Sequence, residues 1–280
     1  MSSSRRVVSE TGARLPICST CGVQYGAARS DCPICLDERQ YVGWDGQQWT
    51  TLAGLQAEGR RGRIAEEGPG VIGIGAEPAV SIGQRALLIR SASGNVLWDC
   101  VGYLDDDLGA EIEKLGGISA IAVSHPHFYG VMTEYGRAFD APVHVHAADR
   151  EWVGRPDPVI EYWTGDTHRL APGLTLINAG THFAGGTVLH WSDDPDGRGA
   201  LFSGDIFLVV MDRRWVSFMY SIPNFIPERP STIRRALSLV EPLSFERIYG
   251  AFWGRVVTSD GAAAVRRSAD RYLRFSLDEG

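Results

Sequence analysis

The chain has 280 residues, of which 44% are hydrophobic and 22% are charged. This composition is typical of a folded globular protein and excludes wholesale disorder as well as collagen-like or coiled-coil architecture. The 34 acidic residues outnumber the 27 basic residues, which gives a net charge of −7. We therefore expect no nucleic-acid partner, because such a surface needs clustered positive charge. The length predicts one large domain or two unequal domains.

The amino-terminal segment gives no signal for export or membrane insertion. Residues 1–14 lack the apolar stretch of a secretory signal, and no run of about 18 apolar residues occurs in the chain. We therefore expect a cytoplasmic protein with no membrane contact. Residues 1–14 are polar and rich in Arg and Ser, which predicts a frayed, disordered tail.

Two cysteine pairs follow this tail in a CxxC, ten-residue spacer, CxxC array made of Cys18, Cys21, Cys32 and Cys35. Such pairs can place four thiolates tetrahedrally around one ion, and a module of about 30 residues has too little apolar area to fold without this staple. The array predicts a structural zinc ribbon over residues 15–45 and a reducing compartment. The knuckles also resemble those of rubredoxin, which holds iron, but the spacer here is much shorter.

The remaining chain divides into a polar segment and a larger domain. Residues 46–69 predict a linker or surface segment, whereas residues 70–280 alternate short apolar runs with helical stretches, as in α/β and α+β proteins. Strands are predicted over residues 86–91, 95–99, 118–124, 142–146, 174–178, 187–191, 200–203 and 245–249. Helices are predicted over residues 105–115, 230–240 and 260–277.

Three of the predicted strands end just before candidate metal ligands: His125 and His127 after residues 118–124, His182 after residues 174–178, and Asp205 after residues 200–203. Because a sheet holds its strand ends rigidly at one edge, we expect these side chains to meet there. Imidazole and carboxylate groups are ligands for a borderline cation such as Zn²⁺. The sequence therefore predicts a metal site at this edge.

These segments resemble, in order and spacing, the successive metal motifs of the metallo-β-lactamase superfamily: Ser124-His125-Pro126-His127-Phe128-Tyr129-Gly130, Gly180-Thr181-His182 and Ser203-Gly204-Asp205. The resemblance covers roughly residues 70–255. It implies an α+β fold, a four-layer αββα sandwich with its metals in a shallow groove at one edge of two sheets, here preceded by the small four-cysteine zinc ribbon. It also implies that Asp99, which ends an early strand, orients a metal histidine from the second shell.

The sequence departs from this family at the second metal site. The family motif reads HxHxDH, but Tyr129 stands at the Asp position and Gly130 at the last His position. Residues 248–254, where the family places its final metal histidine, contain no histidine. We therefore predict one ion in this domain, held by His125, His127, His182 and Asp205.

The resemblance implies a mononuclear zinc-dependent hydrolase of an ester, thioester or lactone-like carbonyl in a small molecule. A single zinc ion lowers the pKa of coordinated water from about 15.7 to about 7 and polarises a carbonyl. Asp205 would ligate the ion or accept a hydrogen bond from that water, and Tyr129 would donate to a developing oxyanion. Aromatic residues near the motifs predict a partly apolar substrate pocket: Phe183, Phe207 and Trp253.

Two alternatives remain open from the sequence. Two histidines and a carboxylate around Fe²⁺ would make the chain a mononuclear iron oxidoreductase or dioxygenase on the same fold. A non-catalytic metal-containing binding protein, in which the ribbon docks a partner, also accounts for the loss of the second site. The sequence does not determine the substrate, the role of the ribbon or whether the chain forms a homo-oligomer.

Overall fold

The structure, a computed structural model, describes residues 7–276. Its amino-terminal module contains helices α1 (Glu10–Arg14), α2 (Pro33–Leu36) and α3 (Leu52–Ala57) and the paired strands β1 (Ile17–Cys18) and β2 (Trp49–Thr50). Ser9 caps α1, because its hydroxyl accepts the N–H of Gly12 at 3.0 Å. The predicted disordered tail is therefore wrong for residues 10–14, which the cap and packing against α3 hold in place. The first six residues of that tail lie outside the described part of the chain.

Seven strands form the first large sheet, in the spatial order β3 (Arg61–Gly68), β4 (Val71–Glu77), β5 (Ala86–Ser91), β6 (Gly94–Trp98), β7 (Ala120–Ala122), β8 (Val143–His146) and β9 (Ile160–Trp163). Neighbouring strands are antiparallel from β3 to β6 and parallel from β6 to β9. Helices α4 (Asp106–Lys114) and α5 (Met132–Phe139) connect the parallel strands β6, β7 and β8. Residues 61–68 form the edge strand of this sheet, so the segment predicted over 46–69 as a linker or surface segment is a surface strand in this part.

The second large sheet begins with β10 (Thr167–Ala171), β11 (Leu174–Asn178), β12 (Thr187–Trp191) and β13 (Ala200–Gly204). Two short hairpins follow, formed by β14 (Leu208–Val209) with β15 (Val216–Ser217) and by β16 (Met219–Ser221) with β17 (Ile226–Pro227). After α6 (Pro230–Val240), strands β18 (Arg247–Gly250) and β19 (Val256–Val257) complete the sheet, in which β13 and β18 pair in parallel. The last described helix is α7 (Gly261–Ser276).

Three apolar clusters separate four layers, as the αββα sandwich requires. Strand β5 shows the alternation: Leu87 and Ile89 join the cluster between the two sheets, whereas Ala86 and Leu88 join the cluster outside the first sheet. That outer cluster includes residues of α4 and α5, and a third cluster lies between the second sheet and helices α6 and α7. The predicted architecture is confirmed. None of the helices between residues 7 and 276 is long and apolar enough to cross a membrane.

The amino-terminal module shares the outer core of the first sheet. Its buried residues, such as Ile17 and Ile34, belong to the same cluster as Ile121 of β7. Backbone hydrogen bonds join the two parts as well, because the N–H of Gln24 donates to the carbonyl of Gly130 at 3.1 Å. The ribbon therefore packs on the outer face of the first sheet, next to the loop that carries His125 and His127.

Candidate metal centres

Four sulfur atoms of the amino-terminal module meet in a buried cluster. The Sγ atoms of Cys18 and Cys35 lie 3.6 Å apart, and those of Cys21 and Cys32 lie 3.7 Å apart. Sulfurs bonded tetrahedrally at about 2.3 Å to one ion lie roughly 3.8 Å from each other, whereas a disulfide would bring them to about 2.05 Å. The spacing fits a four-thiolate metal site, and the predicted zinc-ribbon arrangement of the cysteines is confirmed.

Two neutral side chains contact this cluster. The hydroxyl of Tyr25 lies 3.1 Å from Cys32 Sγ, and Gln47 Nε2 donates to Cys18 Sγ at 3.3 Å. Hydrogen-bond donors of this kind offset the negative charge that four thiolates place around a divalent ion. Tyr25 and Gln47 therefore stabilise the cysteine cluster by hydrogen bonds to its sulfur atoms.

Three histidines meet at the edge of the two sheets. His125 and His127 lie in the loop after β7, where residues 126–128 form one 3₁₀ turn, and His182 lies in the loop between β11 and β12. One ring nitrogen from each of the three lies within 4.8 Å of the others. The side chains are 1%, 3% and 2% exposed, respectively. The predicted convergence of these three histidines, here called the histidine triad, is confirmed.

The hydrogen bonds of the triad show which nitrogens face inward. His182 Nδ1 donates to the carbonyl of Tyr220 at 2.8 Å, so its Nε2 carries the lone pair. This Nε2 lies 3.1 Å from His127 Nδ1, close to the roughly 3.3 Å between two nitrogens bonded at about 2.05 Å to one tetrahedral ion. His125 Nδ1 contacts Ser124 Oγ at 2.9 Å, while its Nε2 is buried without a partner. The triad therefore fits a single metal ion.

Burial sets the protonation state of the triad. Loss of hydration lowers the pKa of His182 to about 4 and lowers the pKa values of His125 and His127 well below their usual value. The nearby positive charge of Arg39 lowers all three pKa values further. The imidazoles are therefore neutral at pH 7, which is the form that binds metal.

The loop of His182 is held in an unusual backbone conformation. His182 has a φ of +64°, in the left-handed region that favours glycine. The carboxylate of Glu228 accepts the backbone N–H of His182 at 2.8 Å. Together with the bond to the Tyr220 carbonyl, this contact fixes both the backbone and the ring of the histidine.

Asp99 supports the triad through an intermediate residue. Its Oδ1 accepts the backbone N–H of Ser124 at 2.7 Å, and the Ser124 hydroxyl contacts His125. Burial raises the pKa of Asp99 to about 7. Ser124 is an orienting residue to which the sequence analysis gave no role, although its position directly before His125 is a usable signal.

Asp205 lies after β13, as predicted, but it is not part of the group of mutually adjacent ligand atoms. Its side chain is buried, and its Oδ1 has no hydrogen-bond partner. Burial raises the pKa of Asp205 to about 8, and the Asp99 carboxyl adds to this effect. Direct ligation by Asp205 stays a prediction.

Tyr129 is buried next to the metal loop. Its hydroxyl donates to the backbone carbonyl of Asp149 at 3.2 Å. The ring is buried in the outer core that the first sheet shares with the ribbon. Tyr129 therefore contributes to packing, and its role as an oxyanion donor stays a prediction.

The three predicted pocket aromatics have different positions. Phe183 lies at the triad, with its ring centroid 5.0 to 5.6 Å from those of the three histidines. Phe207 instead packs against Phe218 in the core outside the second sheet, with centroids 5.5 Å apart. Trp253 covers the glycines of β4, where a Cβ on Gly73 would lie 2.6 Å from its ring. Of the three, only Phe183 contacts the triad, and a pocket role for Phe207 and Trp253 stays a prediction.

The positions of the lost second metal site are used to dock the ribbon. Gly130 has a φ of +48°, and a Cβ at this position would lie 2.4 Å from the carbonyl oxygen of Val101. Its own carbonyl accepts the N–H of Gln24 in the ribbon. Tyr129 and Gly130 therefore serve the packing of the ribbon in this structure, and the single ion predicted for this domain stays a prediction.

Solved structures share the fold of this chain, whereas no protein-family model matches it. A B3 metallo-β-lactamase with an active-site glutamic acid aligns with a TM-score of 0.51 and 16% identity, over 77% of this chain and 89% of that one. The subclass B3 metallo-β-lactamase MEM-A1, from a soil metagenome library, aligns at 0.50 and 18% identity over 78% and 98%. VMB-1 aligns at 0.56 and 14% identity over 77% and 98%.

The fold, the histidine triad and the cysteine cluster together define a metallo-β-lactamase-fold protein with a three-histidine site and an amino-terminal zinc-ribbon module. The chain is also 47% identical over 262 residues to the uncharacterized protein YmaE of Bacillus subtilis (strain 168), a match that covers 92% of this chain and 95% of that protein. The chain belongs to the family of YmaE.

Proposed function

We propose that this protein is a mononuclear zinc-dependent hydrolase that cleaves an ester, thioester or lactone-like carbonyl in a small molecule. The observation that carries the proposal is the histidine triad, whose inward nitrogens lie within 4.8 Å of one another. Three protein ligands leave one position of a tetrahedral zinc site open, which distinguishes catalytic sites from closed structural ones. The solved neighbours described as metallo-β-lactamases support hydrolysis as the reaction class.

Each residue around the triad has a defined part in this proposal. The Tyr220 carbonyl keeps His182 Nε2 free for the ion, and Ser124 with Asp99 orients His125. The unpaired Oδ1 of Asp205 is available to accept a hydrogen bond from water at the open position. A zinc ion bound there would acidify that water to a pKa of about 7 and polarise the substrate carbonyl.

The surroundings of the triad favour an uncharged, partly apolar substrate. Phe183 lies against all three histidine rings, and Trp152 packs against Phe183 with centroids 5.7 Å apart. The guanidinium of Arg39 is paired with Asp37, so this wall presents little free charge to a substrate. Acyl groups of small esters and lactones suit such a wall.

The test measures metal content and turnover together. Protein purified without added zinc is analysed by mass spectrometry for metals and assayed on nitrophenyl esters, acyl thioesters, lactones and a chromogenic β-lactam. We expect a zinc equivalent at the triad and hydrolysis of at least one carbonyl class. The double variant His125→Ala/His182→Ala should lose that zinc and about a thousandfold in activity.

The control variant is His168→Ala, because His168 stacks on Trp163 away from the triad and should change neither quantity. One equivalent of iron with consumption of oxygen would contradict the proposal and favour the iron oxidoreductase. The nearly complete burial of the triad favours a further candidate, a non-catalytic metal-containing binding protein. Retention of the triad zinc with no turnover of any class would support that candidate instead.

A further inference from the structure

Residues Asp37–Gln40, here called the strap, lie between the last cysteine of the ribbon and the metal site. The strap begins two residues after Cys35. Arg39 Nη1 donates to the carbonyl of His182 at 3.3 Å, and its guanidinium carbon lies 3.9 Å from the centroid of the Phe183 ring. The strap thus touches the loop that carries the third histidine.

The side chains at this point form successive layers above the triad. The Phe183 ring lies directly against the three histidine rings, and the Arg39 guanidinium lies over Phe183. The rings of Trp152 and Tyr220 flank the guanidinium at 5.3 and 5.5 Å. Because no histidine of the triad is more than 3% exposed, these layers close the site on this side.

Side-chain hydrogen bonds fasten the strap to the β16–β17 hairpin. Asn224 Nδ2 donates to the carbonyls of Glu38 and Gln40 at 3.0 and 3.2 Å. The Tyr220 hydroxyl donates to Glu38 Oε1 at 2.6 Å, and Ser221 Oγ donates to the Arg39 carbonyl at 3.2 Å. Bonds of this kind near the surface cost little to exchange for bonds to water.

Other walls of the triad are tied to the sheets by backbone hydrogen bonds. The N–H of Thr187, at the start of β12, donates to the carbonyl of Ser124 at 2.9 Å, and the N–H of Gly180 donates to the carbonyl of Gly186 at 2.9 Å. Opening the site there would break the sheet edge that holds the ligands. The strap is the wall that can move at least cost.

We propose that the strap is a gate over the histidine triad and that Arg39 closes it by holding the Phe183 ring against the histidines, so that substrate and metal reach the inward nitrogens when the guanidinium leaves and the ring turns aside. The inference rests on the proposed function for the identity of what enters. Access to the triad, which the gate controls, can be measured without any turnover. A hydrolase with this gate has two tasks for Arg39: to close the site over bound substrate and to yield when substrate enters or product leaves.

The test measures how fast the triad releases zinc to a chelator in the full-length, zinc-loaded protein. Release from the triad is identified as the kinetic phase that is missing in His125→Ala/His182→Ala. We expect Arg39→Ala to accelerate this phase about tenfold or more, because the variant loses a hydrogen bond and a cation–π contact. Asn224→Ala removes the two hydrogen bonds from the hairpin to the strap carbonyls and should accelerate zinc release roughly fivefold.

Arg29→Ala is the matched control. Arg29 also lies in the ribbon, stacks on an aromatic ring, Tyr25, at 4.6 Å, and pairs with an acid two residues away, Asp31. It does not touch the triad, so the release rate should stay at the wild-type value. Wild-type rates in both Arg39→Ala and Asn224→Ala would overturn the gate.

A second readout does not depend on metal at the triad. If the purified protein holds no ion there, carbethoxylation of His127 and His182 is compared by mass spectrometry in the wild type and the same variants. Faster modification in Arg39→Ala, with the Arg29→Ala rate unchanged, supports the gate even though the proposed hydrolase has then failed. Equal modification in all variants overturns it.

Discussion

At position 130, any side chain larger than hydrogen would collide with the carbonyl oxygen of Val101. The metallo-β-lactamase motif places a metal histidine at this point, and the chain has instead a glycine with φ of +48° whose carbonyl holds Gln24 of the ribbon. Loss of the second metal site and attachment of the ribbon therefore involve the same residue. The steric requirement for glycine at position 130 accounts for the absence of the motif's histidine there.

Gly130→Ala should destabilise the protein by at least about 2 kcal/mol more than Gly197→Ala. Both residues have positive φ, but a Cβ at Gly197 would meet nothing within 4 Å, so the difference isolates the clash with Val101. Chemical denaturation of the two variants measures it. Equal free energies of unfolding would show that the backbone near Val101 relaxes without cost.

The triad should bind zinc with little pH dependence between about pH 5.5 and 7.5. Protons compete with metal only below the pKa of the ligand, and burial lowers the pKa of His182 to about 4 and those of His125 and His127 well below 6.5. Affinity is therefore retained as pH falls through 6.5 and begins to fall only near pH 4, where His182 gains a proton. Competition titrations with a chelator of known pH dependence test this, and a steep loss of affinity that starts at about pH 6.5, the ordinary histidine range, would contradict it.

Among the elements, buried strands and amphipathic helices follow most directly from the sequence. The predicted strands at 86–91, 174–178 and 187–191 and the helix at 230–240 have the bounds of β5, β11, β12 and α6. The three strands are short apolar runs buried almost throughout, and α6 buries Ile233, Ala236 and Val240 on one face, which are the signals that sequence patterns carry. The strand predicted over 118–124 shortens to the three residues of β7, because the chain turns into the metal loop.

Elements with weak apolar patterns were not predicted. Strand β3 is an edge strand whose charged and small residues, with the sequence RGRIAEEG, show no buried face. Helix α5 contains Thr133 and Gly136, which are poor helix formers, and is stabilised by tertiary packing. Local propensity does not report such contacts.

The convergence of the three histidines was predictable from the sequence, whereas the contact between Arg39 and the loop of His182 was not. The histidines follow strands, so their convergence follows from sheet geometry. The contact between Arg39 and His182 joins residues 143 positions apart, and no periodicity or motif links the ribbon to that loop. Only the packing of the ribbon on the first sheet brings them together.

Arg155→Ala should cost about 3 to 5 kcal/mol of stability. Arg155 makes a buried ion pair with Glu134 of α5 and also contacts the side-chain oxygen of Gln24, so it joins the ribbon to the first sheet's outer layer. Removal of the Arg155 side chain leaves the Glu134 carboxylate, which is 1% exposed, without its ion-pair partner. Thermal unfolding measures the loss.

The control is Arg266→Ala, which also removes an arginine paired with a glutamate. Arg266 pairs with Glu241, and the two side chains are 58% and 49% exposed, so its loss should change the free energy of unfolding by at most about 1 kcal/mol. Equal effects of Arg155→Ala and Arg266→Ala would show that the buried pair does not anchor the ribbon.

For the molecule as a whole, we expect two metal ions per chain and one unfolding transition. The four cysteines lie in the same apolar cluster as residues of the first sheet, so the ribbon cannot unfold alone without exposing that core. Zinc at about a thousand times its dissociation constant should stabilise the folded chain by about 4 kcal/mol. Calorimetry at several free zinc concentrations tests this, and two separate transitions would contradict it.

The two-residue distance between Cys35 and the strap has a consequence for assembly. If the gate operates as proposed, an ion bound by the four cysteines would fix one end of the strap, while hydrogen bonds to the β16–β17 hairpin fix its other side. We therefore expect zinc to bind the histidines first and the cysteines last, and to leave in the reverse order. Metal analysis during stepwise chelation measures this order, and loss of the triad zinc before the ribbon zinc would contradict it.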